Sequence, residues 1–304
     1  MSEEKWLHRM SLGHIREELK QQGYSVSQPT IGRLLKKHKY SLKRNRKEKE
    51  SGAQHPQRDE QFRYIGDQRV AYRDEGIPTV SIDGKKKELI GNFKNQGASW
   101  CLDAEQVNVH DFLSTAKGRA VPYGIYDVNT NQGYVGVGKS YDTAEFAVDV
   151  ICDWWLKEGQ YSYPQAKALA LLSDGGGSNS CRSRLWKKQV QKRLCDELGL
   201  EVRIHHYPSG CSKWNPIEHR LFSQISVNWA GKPLQSFETM LAYLNGTQTK
   251  TGLRVKACLN DKLYAKGKKV SDDEMNGLNI EFHSTCPKWN YTMKPRGENV
   301  KSIS

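Results

Sequence analysis

The 304-residue chain contains no apolar run near the ~20 residues that a bilayer crossing requires, so it offers no membrane-spanning helix. No secretory leader is visible at its start. Cysteine is present but unorganised. The seven cysteines (Cys101, Cys152, Cys181, Cys195, Cys211, Cys258, Cys286) are odd in number and never spaced C-x-x-C. That argues against a disulfide framework or a zinc knuckle and fits a reducing cytoplasm. Histidines also lack metal spacing, and the neighbours His205 and His206 fall on a predicted strand, where they point to opposite faces. Acidic residues are the real deficit: 34 against 47 Lys and Arg, a net charge of +13. Such a field gathers polyanions. A basic helix with a bulky aromatic face, which would favour an anionic membrane instead, is missing, and so is any internal repeat.

What is present centres on Leu169-Ala-Leu-Leu-Ser-Asp174-Gly-Gly-Gly-Ser-Asn179. A short apolar run between turn residues reads as a buried strand. It ends on a carboxylate where open α/β sheets place their ligands. The plain alternative for Asp174 is a residue that starts a glycine turn.

Residues 10–40 read as two helices joined by a tight turn. In the first, Leu12, Ile15 and Leu19 share a face and Gly23 follows its end. In the second, Pro29 occupies the first turn, with Ile31, Leu34 and Leu35 inward and Arg33, Lys36, Lys37 and Lys39 outward. This is the helix-turn-helix pattern, whose second helix enters the DNA major groove. A helical hairpin with a solvated basic face is the alternative. From Arg33 to Lys49 there are nine Lys/Arg and one Glu, a local net of +8. Lys43, Arg44 and Arg46 stand in a stretch nearly free of apolar residues, expected to be a linker along a phosphate backbone. The expected division is a helix-turn-helix domain over 1–42, a basic linker over 43–60, a catalytic domain over 61–260 and a C-terminal extension over 261–304.

Within the catalytic region the pattern predicts a helix over 59–74 with Phe62, Ile65, Val70 and Tyr72 as its apolar positions. A strand over 77–83 ends on Asp83, and two further strands cover 121–128 and 133–137. A helix over 142–156 carries Phe146, Val150 and Trp154, and the Asp174 strand follows. Next come a helix over 182–198 with Trp186, Val190, Leu194 and Leu198, and a strand over 200–205. Asn215-Pro216 then opens a helix with Ile217, Leu221 and Ile225 as its inner stripe. Two more helices are expected, over 236–244 and 272–278. The segment over 95–119 reads as irregular and polar.

Three acids stand out in this order, and each has a dull reading. Asp83-Gly84 is a hairpin-turn dipeptide, Asp174 a turn former, and Glu218 lies at capping-box distance from Asn215. The element order is that of an α/β ribonuclease H-like fold, a mixed sheet flanked by helices, here preceded by a small all-α helix-turn-helix domain. In that fold both aspartates sit side by side and a later helix brings its acid across. Clustered carboxylates repel unless cations separate them, and hard oxygen ligands suit Mg²⁺ or Mn²⁺. Two such ions about 4 Å apart would hold the attacking and leaving oxygens of an in-line phosphoryl displacement.

The runs Ser81-Ile-Asp-Gly-Lys-Lys-Lys-Glu-Leu-Ile-Gly-Asn-Phe-Lys-Asn95, Asp174-Gly-Gly-Gly-Ser-Asn179 with Arg182-Ser-Arg-Leu-Trp186, Ser212-Lys-Trp-Asn-Pro-Ile-Glu-His-Arg-Leu-Phe222, Asn228-Trp-Ala-Gly-Lys-Pro233 and Thr249-Lys-Thr-Gly-Leu253 resemble the Rhodopirellula-type DDE transposases of bacterial insertion sequences. The likeness extends from about residue 11 to Trp289-Asn-Tyr-Thr292. It implies that Asp83, Asp174 and Glu218 form the catalytic, metal-holding triad. It also implies a substrate that is the mobile element's own terminal DNA, cut and then joined to target DNA through its 3′-OH. The partner is then double-stranded DNA, with a homo-oligomer assembled on it. Arg182, Arg184 and Lys213 are candidate contacts to the DNA backbone, or else solvated charges. Two departures are visible. Met1–Arg9 does not resemble the longer N-terminal DNA-binding region of family members, so a shortened copy is expected, and Gly84 stands where a Thr belongs.

Two rival readings remain. Gly133-Tyr-Val-Gly-Val-Gly-Lys-Ser140 matches the phosphate-binding pattern G-x-x-x-x-G-K-S, although Tyr134, Val135 and Val137 favour extended backbone over a phosphate nest. The other rival is a helix-turn-helix DNA-binding protein without catalysis.

Overall fold

The computed structural model describes residues 11–41, 55–208, 210–211 and 214–297. Lys43, Arg44, Arg46 and Lys213 therefore lie outside the described residues. The chain divides into two compact units, Met1–Ser51 and Gly52–Ser304.

The first unit holds α1 (Leu12–Gln21) and α2 (Gln28–Lys37). Serines start both: Ser11 Oγ accepts the His14 N–H at 3.2 Å and Ser27 Oγ the Thr30 N–H at 3.4 Å. Gly23, with φ +87°, lets the chain leave α1 in the left-handed region. Ile31 is buried, whereas Leu34, expected inward, is 44% exposed. Two ten-residue helices share one narrow seam, and Leu34 lies off it. Arg33, Lys36 and Lys37 are exposed on α2. Lys39 is exposed too, but past the helix end with φ +62°, so it belongs to the exit turn rather than to the helix face.

In the second unit α3 (Arg58–Asp74) precedes a nine-stranded sheet: β1 (Thr79–Gly84), β2 (Glu88–Ile90), β3 (Gly118–Asp127), β4 (Gln132–Gly138), β5 (Ala168–Asp174), β6 (Glu201–Tyr207), β7 (Arg254–Asn260), β8 (Ile280–Phe282) and β9 (Asn290–Met293). The strand order is β7-β4-β3-β1-β5-β6-β9-β8, with β2 beside β3. β1, β3 and β4 form an antiparallel meander, and β5 then joins the other side of β1 in parallel, followed by β6. This is the ribonuclease H-like arrangement, with β1 central. Strands β7 and β9 extend it, parallel to β4 and antiparallel to β6. The last stretch of chain thus contributes three strands that its sequence pattern leaves unmarked.

Helices cover both faces. On one, Val80, Ile82, Tyr123 and Leu171 pack under α4 (Ala144–Trp154) and α6 (Arg184–Gln189). α4 runs on through a π-helical turn, Trp155–Gly159, into α5 (Gln160–Ser162), and α6 through another, Val190–Glu197. Phe146, Val150, Trp154, Trp186, Val190 and Leu194 are buried as their spacing predicts. On the other face a π-helical turn, Glu218–Phe222, leads into α7 (Ser223–Asn228), and α8 (Phe237–Asn245) follows. Ile217, Leu221, Ile225, Met240 and Leu244 seal that side. A short α9 (Asp272–Asn276) starts with a capping box at Ser271 and Glu274. No helix among the described residues is long and apolar enough to cross a membrane.

Two expectations change. Val70 is 49% exposed, because the buried stripe of α3 runs through Gln61, Ile65 and Tyr72 and passes Val70 by. Gln61 is buried because its amide exchanges hydrogen bonds with Asn290 at 2.8 and 2.6 Å. The segment between β2 and β3 is irregular but not polar, since Trp100, Leu102 and Val109 stand almost wholly exposed on it. Gly133–Ser140 is β4 and its exit, as the strand predicted over 133–137 requires, and not a phosphate loop. A Cβ on Gly133 would stand 2.5 Å from Leu221, one on Gly136 2.5 Å from Val150 and one on Gly138 2.9 Å from Phe146. These glycines let helices approach the sheet from both sides. Lys139 pairs with Asp261 at 2.6 Å and lies over the Phe237 ring. We expect Gly136→Ala to cost about 1–3 kcal/mol of stability through overpacking against Val150, read as a lower thermal midpoint.

Candidate active site

Strand pairing places the first two acids. β1 and β5 are parallel neighbours in the register Ile82↔Ser173, so Asp83 and Asp174 come next on both strands, side by side at their carboxyl ends. Neither aspartate is a turn. β1 continues through Gly84, paired with Tyr123, and Lys85 still donates its N–H to Pro122 O at 2.9 Å. After Asp174 the glycines fold into a single 3₁₀ turn, Gly177–Asn179, with Gly177 at φ +66°. Asp83 Oδ1 accepts the Gly84 N–H at 2.7 Å and Asp174 Oδ1 the Gly176 N–H at 3.2 Å.

Glu218 is delivered by a clamp that the sequence reading missed. Asn215 was expected to cap the helix. Its fully buried side chain instead reaches β1, accepting from Ser81 Oγ and donating to Ile82 O at 3.3 Å. The Ile217 N–H also donates to Ser81 Oγ, at 3.1 Å. The helix entrance is thus tied to the two residues just before Asp83, and Glu218 makes no side-chain cap there. The run Asn215-Pro-Ile-Glu218 carried the only hint, a polar residue immediately before a proline at a helix start.

Behind Asp174 lies a chain of uncharged polar groups. Trp186 Nε1 donates to Tyr291 Oη at 3.1 Å, and Tyr291 Oη lies 3.1 Å from His206 Nε2. His206 Nδ1 is 2.8 Å from Ser173 Oγ and 3.2 Å from the carbonyl of Asp174. The tautomer that uses every donor carries its proton on Nδ1, toward that carbonyl. Burial lowers the His206 pKa to about 3, so the ring is neutral and holds the main chain at Asp174 without adding charge. His205 points to the opposite face, against Tyr72 Oη at 2.9 Å and Asn290 Oδ1 at 2.9 Å.

The electrostatics are those of crowded negative charge. Burial first, then Asp174, push the Asp83 carboxyl up to about 8; the Gly84 N–H pulls it back by more than either Glu218 or Asp142 adds. Glu218 is raised as well, by burial and by Asp174, while His219 and Lys85 pull it down. Asp142 is an acid that sequence reading treated only as the start of a helix. Its Oδ1 is buried with no hydrogen-bond partner, and its Oδ2 lies 3.4 Å from where a Cβ on Gly84 would stand. Among the described residues no three His, Cys, Asp or Glu side chains converge closely enough to hold one ion as they stand. Asp83 and Asp174 each turn an oxygen back onto their own strand end, as repelling carboxylates would. The donor set of carboxylate oxygens, with one orphaned in the interior, fits hard divalent cations such as Mg²⁺ or Mn²⁺. Among the expected DNA contacts, Arg182 is exposed, while Arg184 is paired with Asp272 at 2.6 Å and bonded to Val270 O.

Two outcomes follow. An unfolded Asp83 titrates near 3.8 and the folded one near 8. Below that window both states hold the proton; within it only the folded state does, so stability falls as pH rises and the penalty is complete above it. Thermal melts in chelator should therefore fall from pH ~5 to pH ~8, and Asp83→Asn should flatten the drop. Equal slopes for both proteins would count against a raised Asp83. Asn215→Ala should cost about 1–3 kcal/mol, because it strands buried partners on β1, measured by chemical denaturation.

The Mos1 transposase paired-end complex with left transposon end aligns over 80% of this chain and 72% of its own, with 14% identity and a TM-score of 0.46. The Mos1 mariner paired end complexes with Mn and with Mg align over the same shares, at 15% and 13% identity and TM-scores of 0.46 and 0.47. Among curated proteins none matches. The sequence model of the family described as Rhodopirellula transposase DDE domain matches residues 1–295, Met1–Arg9 included, so the chain belongs to that family.

Proposed function

We propose that this DDE transposase cuts the ends of its own mobile element and joins them to target DNA, with Asp83, Asp174 and Glu218 as its catalytic and metal-holding residues. The observation that carries the reading is the parallel β1–β5 register with the Asn215 clamp, which gathers three sequence-distant acids at one sheet end. In the first step a water oxygen bonds to the phosphorus at the element end as the P–O3′ bond breaks, freeing a 3′-OH. In the second, that 3′-OH attacks a target phosphodiester in line and the target's 3′ oxygen leaves. Mg²⁺ or Mn²⁺, when bound, would supply the Lewis acidity that activates each attacking oxygen and stabilises each leaving one.

Asp83 and Asp174, on rigid neighbouring strands, hold the near side of the site, and His206 fixes the Asp174 main chain. Glu218 completes the far side, partly compensated by Lys85, whose ammonium also sits over the Trp229 ring at 4.8 Å. The helix pair α1–α2, with Arg33, Lys36, Lys37 and Lys39 exposed, reads double-stranded DNA. Lys43, Arg44 and Arg46 follow the phosphate backbone, joined at the catalytic unit by Arg182 and Lys213. Arg184, engaged with Asp272, serves there as a tie to the α9 segment. We assign the helix-turn-helix role to 1–42, the basic linker to 43–60, catalysis to 61–260 and a supporting extension to 261–304, acting in a homo-oligomer on cytoplasmic DNA.

The test is nicking of an element-end duplex by the full chain. Activity is expected only with Mg²⁺ or Mn²⁺, and Asp174→Asn is expected to lose at least ~10³-fold, the scale of removing a group on which transition-state charge stabilisation depends. Equal nicking by both proteins would reject the assignment.

A further inference from the structure

The carboxyl end of β1 has two faces. Glu218 reaches it over one of them, where Gly124 lies under Ile217 and Phe222 and Ser81 meets Asn215. The opposite face belongs to α4. Gly84 pairs with Tyr123, so both point to that side, and the Tyr123 ring meets Phe146 of α4 edge-on at 6.2 Å. Asp142 occupies the same place, with its Oδ2 at the position toward which Gly84 is open.

Two polar atoms are stranded there: Oδ1 of Asp142 and the hydroxyl of Tyr123, both buried without a hydrogen-bond partner. Tyr123 is completely buried, and the charges of Asp83, Asp142 and Asp174 all bear on its hydroxyl. Leaving a carboxylate oxygen and a hydroxyl unpaired in the interior is unfavourable. One occupant relieves both: a cation that takes the carboxylate oxygen, with a water of its hydration shell donating to the hydroxyl oxygen.

We propose that Asp142 is a fourth carboxylate of the divalent-ion site, reaching it from the α4 face opposite Glu218, with the Tyr123 hydroxyl holding a water of the filled site. This rests on the metal-dependent reading given above. The competing role for Asp142 is helix support, since its charge lies just before α4 and favours a helix N-terminus. Capping itself is done by Thr143, whose side chain accepts the Phe146 N–H at 3.2 Å.

The two roles predict opposite signs. With the full chain and Mn²⁺ as the probe, titration calorimetry on Asp142→Asn should show affinity about tenfold or more below wild type, the scale of losing a group that tunes a metal site. Its melting temperature in chelator should rise, because one repelling charge is gone, and the further rise on adding Mn²⁺ should shrink. Tyr123→Phe should lose less affinity and keep its fold by circular dichroism. Asp142→Ser, small and polar at the helix entrance, should repeat the affinity loss should the Asn variant fold poorly. Unchanged Mn²⁺ affinity in Asp142→Asn, or a melting temperature lowered equally with and without Mn²⁺, would overturn the assignment. Asp174→Asn separates the two readings. Loss of Mn²⁺ binding there, with Asp142→Asn intact, would remove only the fourth carboxylate. A wild-type chain that takes up no Mn²⁺ would bring down the metal-dependent reading and this inference together.

Discussion

The parallel pairing of β1 with β5 is the constraint from which the rest of the catalytic unit follows. It forces two aspartates, far apart along the chain, to end their strands next to each other. No turn or loop has to aim them, because the hydrogen-bond ladder fixes both backbones and the two-residue alternation of side chains fixes their face. Everything else around the site serves to hold that pair in register or to bring a third acid toward it. The Ser81–Asn215 contact is the most economical of these devices. It links the helix of Glu218 to the strand of Asp83 through side chains with no exposed surface.

A chain with net charge +13 thus keeps a negative pocket at its centre. The groups packed behind the aspartates are neutral: Ser173, a His206 ring kept unprotonated by burial, Tyr291 and Trp186. They fix geometry without relieving repulsion. Compensation for Asp83 must therefore come from protons or from cations, since burial and then the charge of Asp174 push its carboxyl upward. The chain's excess positive charge and the acidic site suit one task, since a phosphodiester is drawn by the first and must be neutralised locally at the second.

Much of this was legible in the sequence. The strand-helix order, the two strand-end aspartates and the apolar stripes of α4, α6 and the Glu218 helix follow from periodicity, which depends only on local geometry. What escaped was set by tertiary partners. Val70 and Leu34 are apolar residues without a surface to pack on, and Gln61 is a polar residue with a buried partner more than two hundred positions away. The glycines of Gly133–Ser140 imitate a nucleotide loop on paper, and only the helices pressing on β4 reveal why side chains are missing there. Asn215 and Asp142 looked like helix-start residues, because capping is a local rule and their actual neighbours are not local. The strands of the final stretch went unread for the same reason, since they extend a sheet whose other members lie elsewhere in the chain.

Glu218 opens a segment wound with five residues between hydrogen-bonded partners rather than four, and two other helices of the unit contain the same wide turn. Each such turn accommodates one residue more than an ordinary helix of the same length. Winding the same residues as an ordinary helix, with none taken up by the wide turn, would rotate the two ends of the helix by roughly 100°, one residue's turn, relative to each other. With Leu221 and Ile225 seated on the sheet, the rotation would fall on the acid, turning it away from the aspartates. The phase of this helix, more than its position, is what aims its carboxylate.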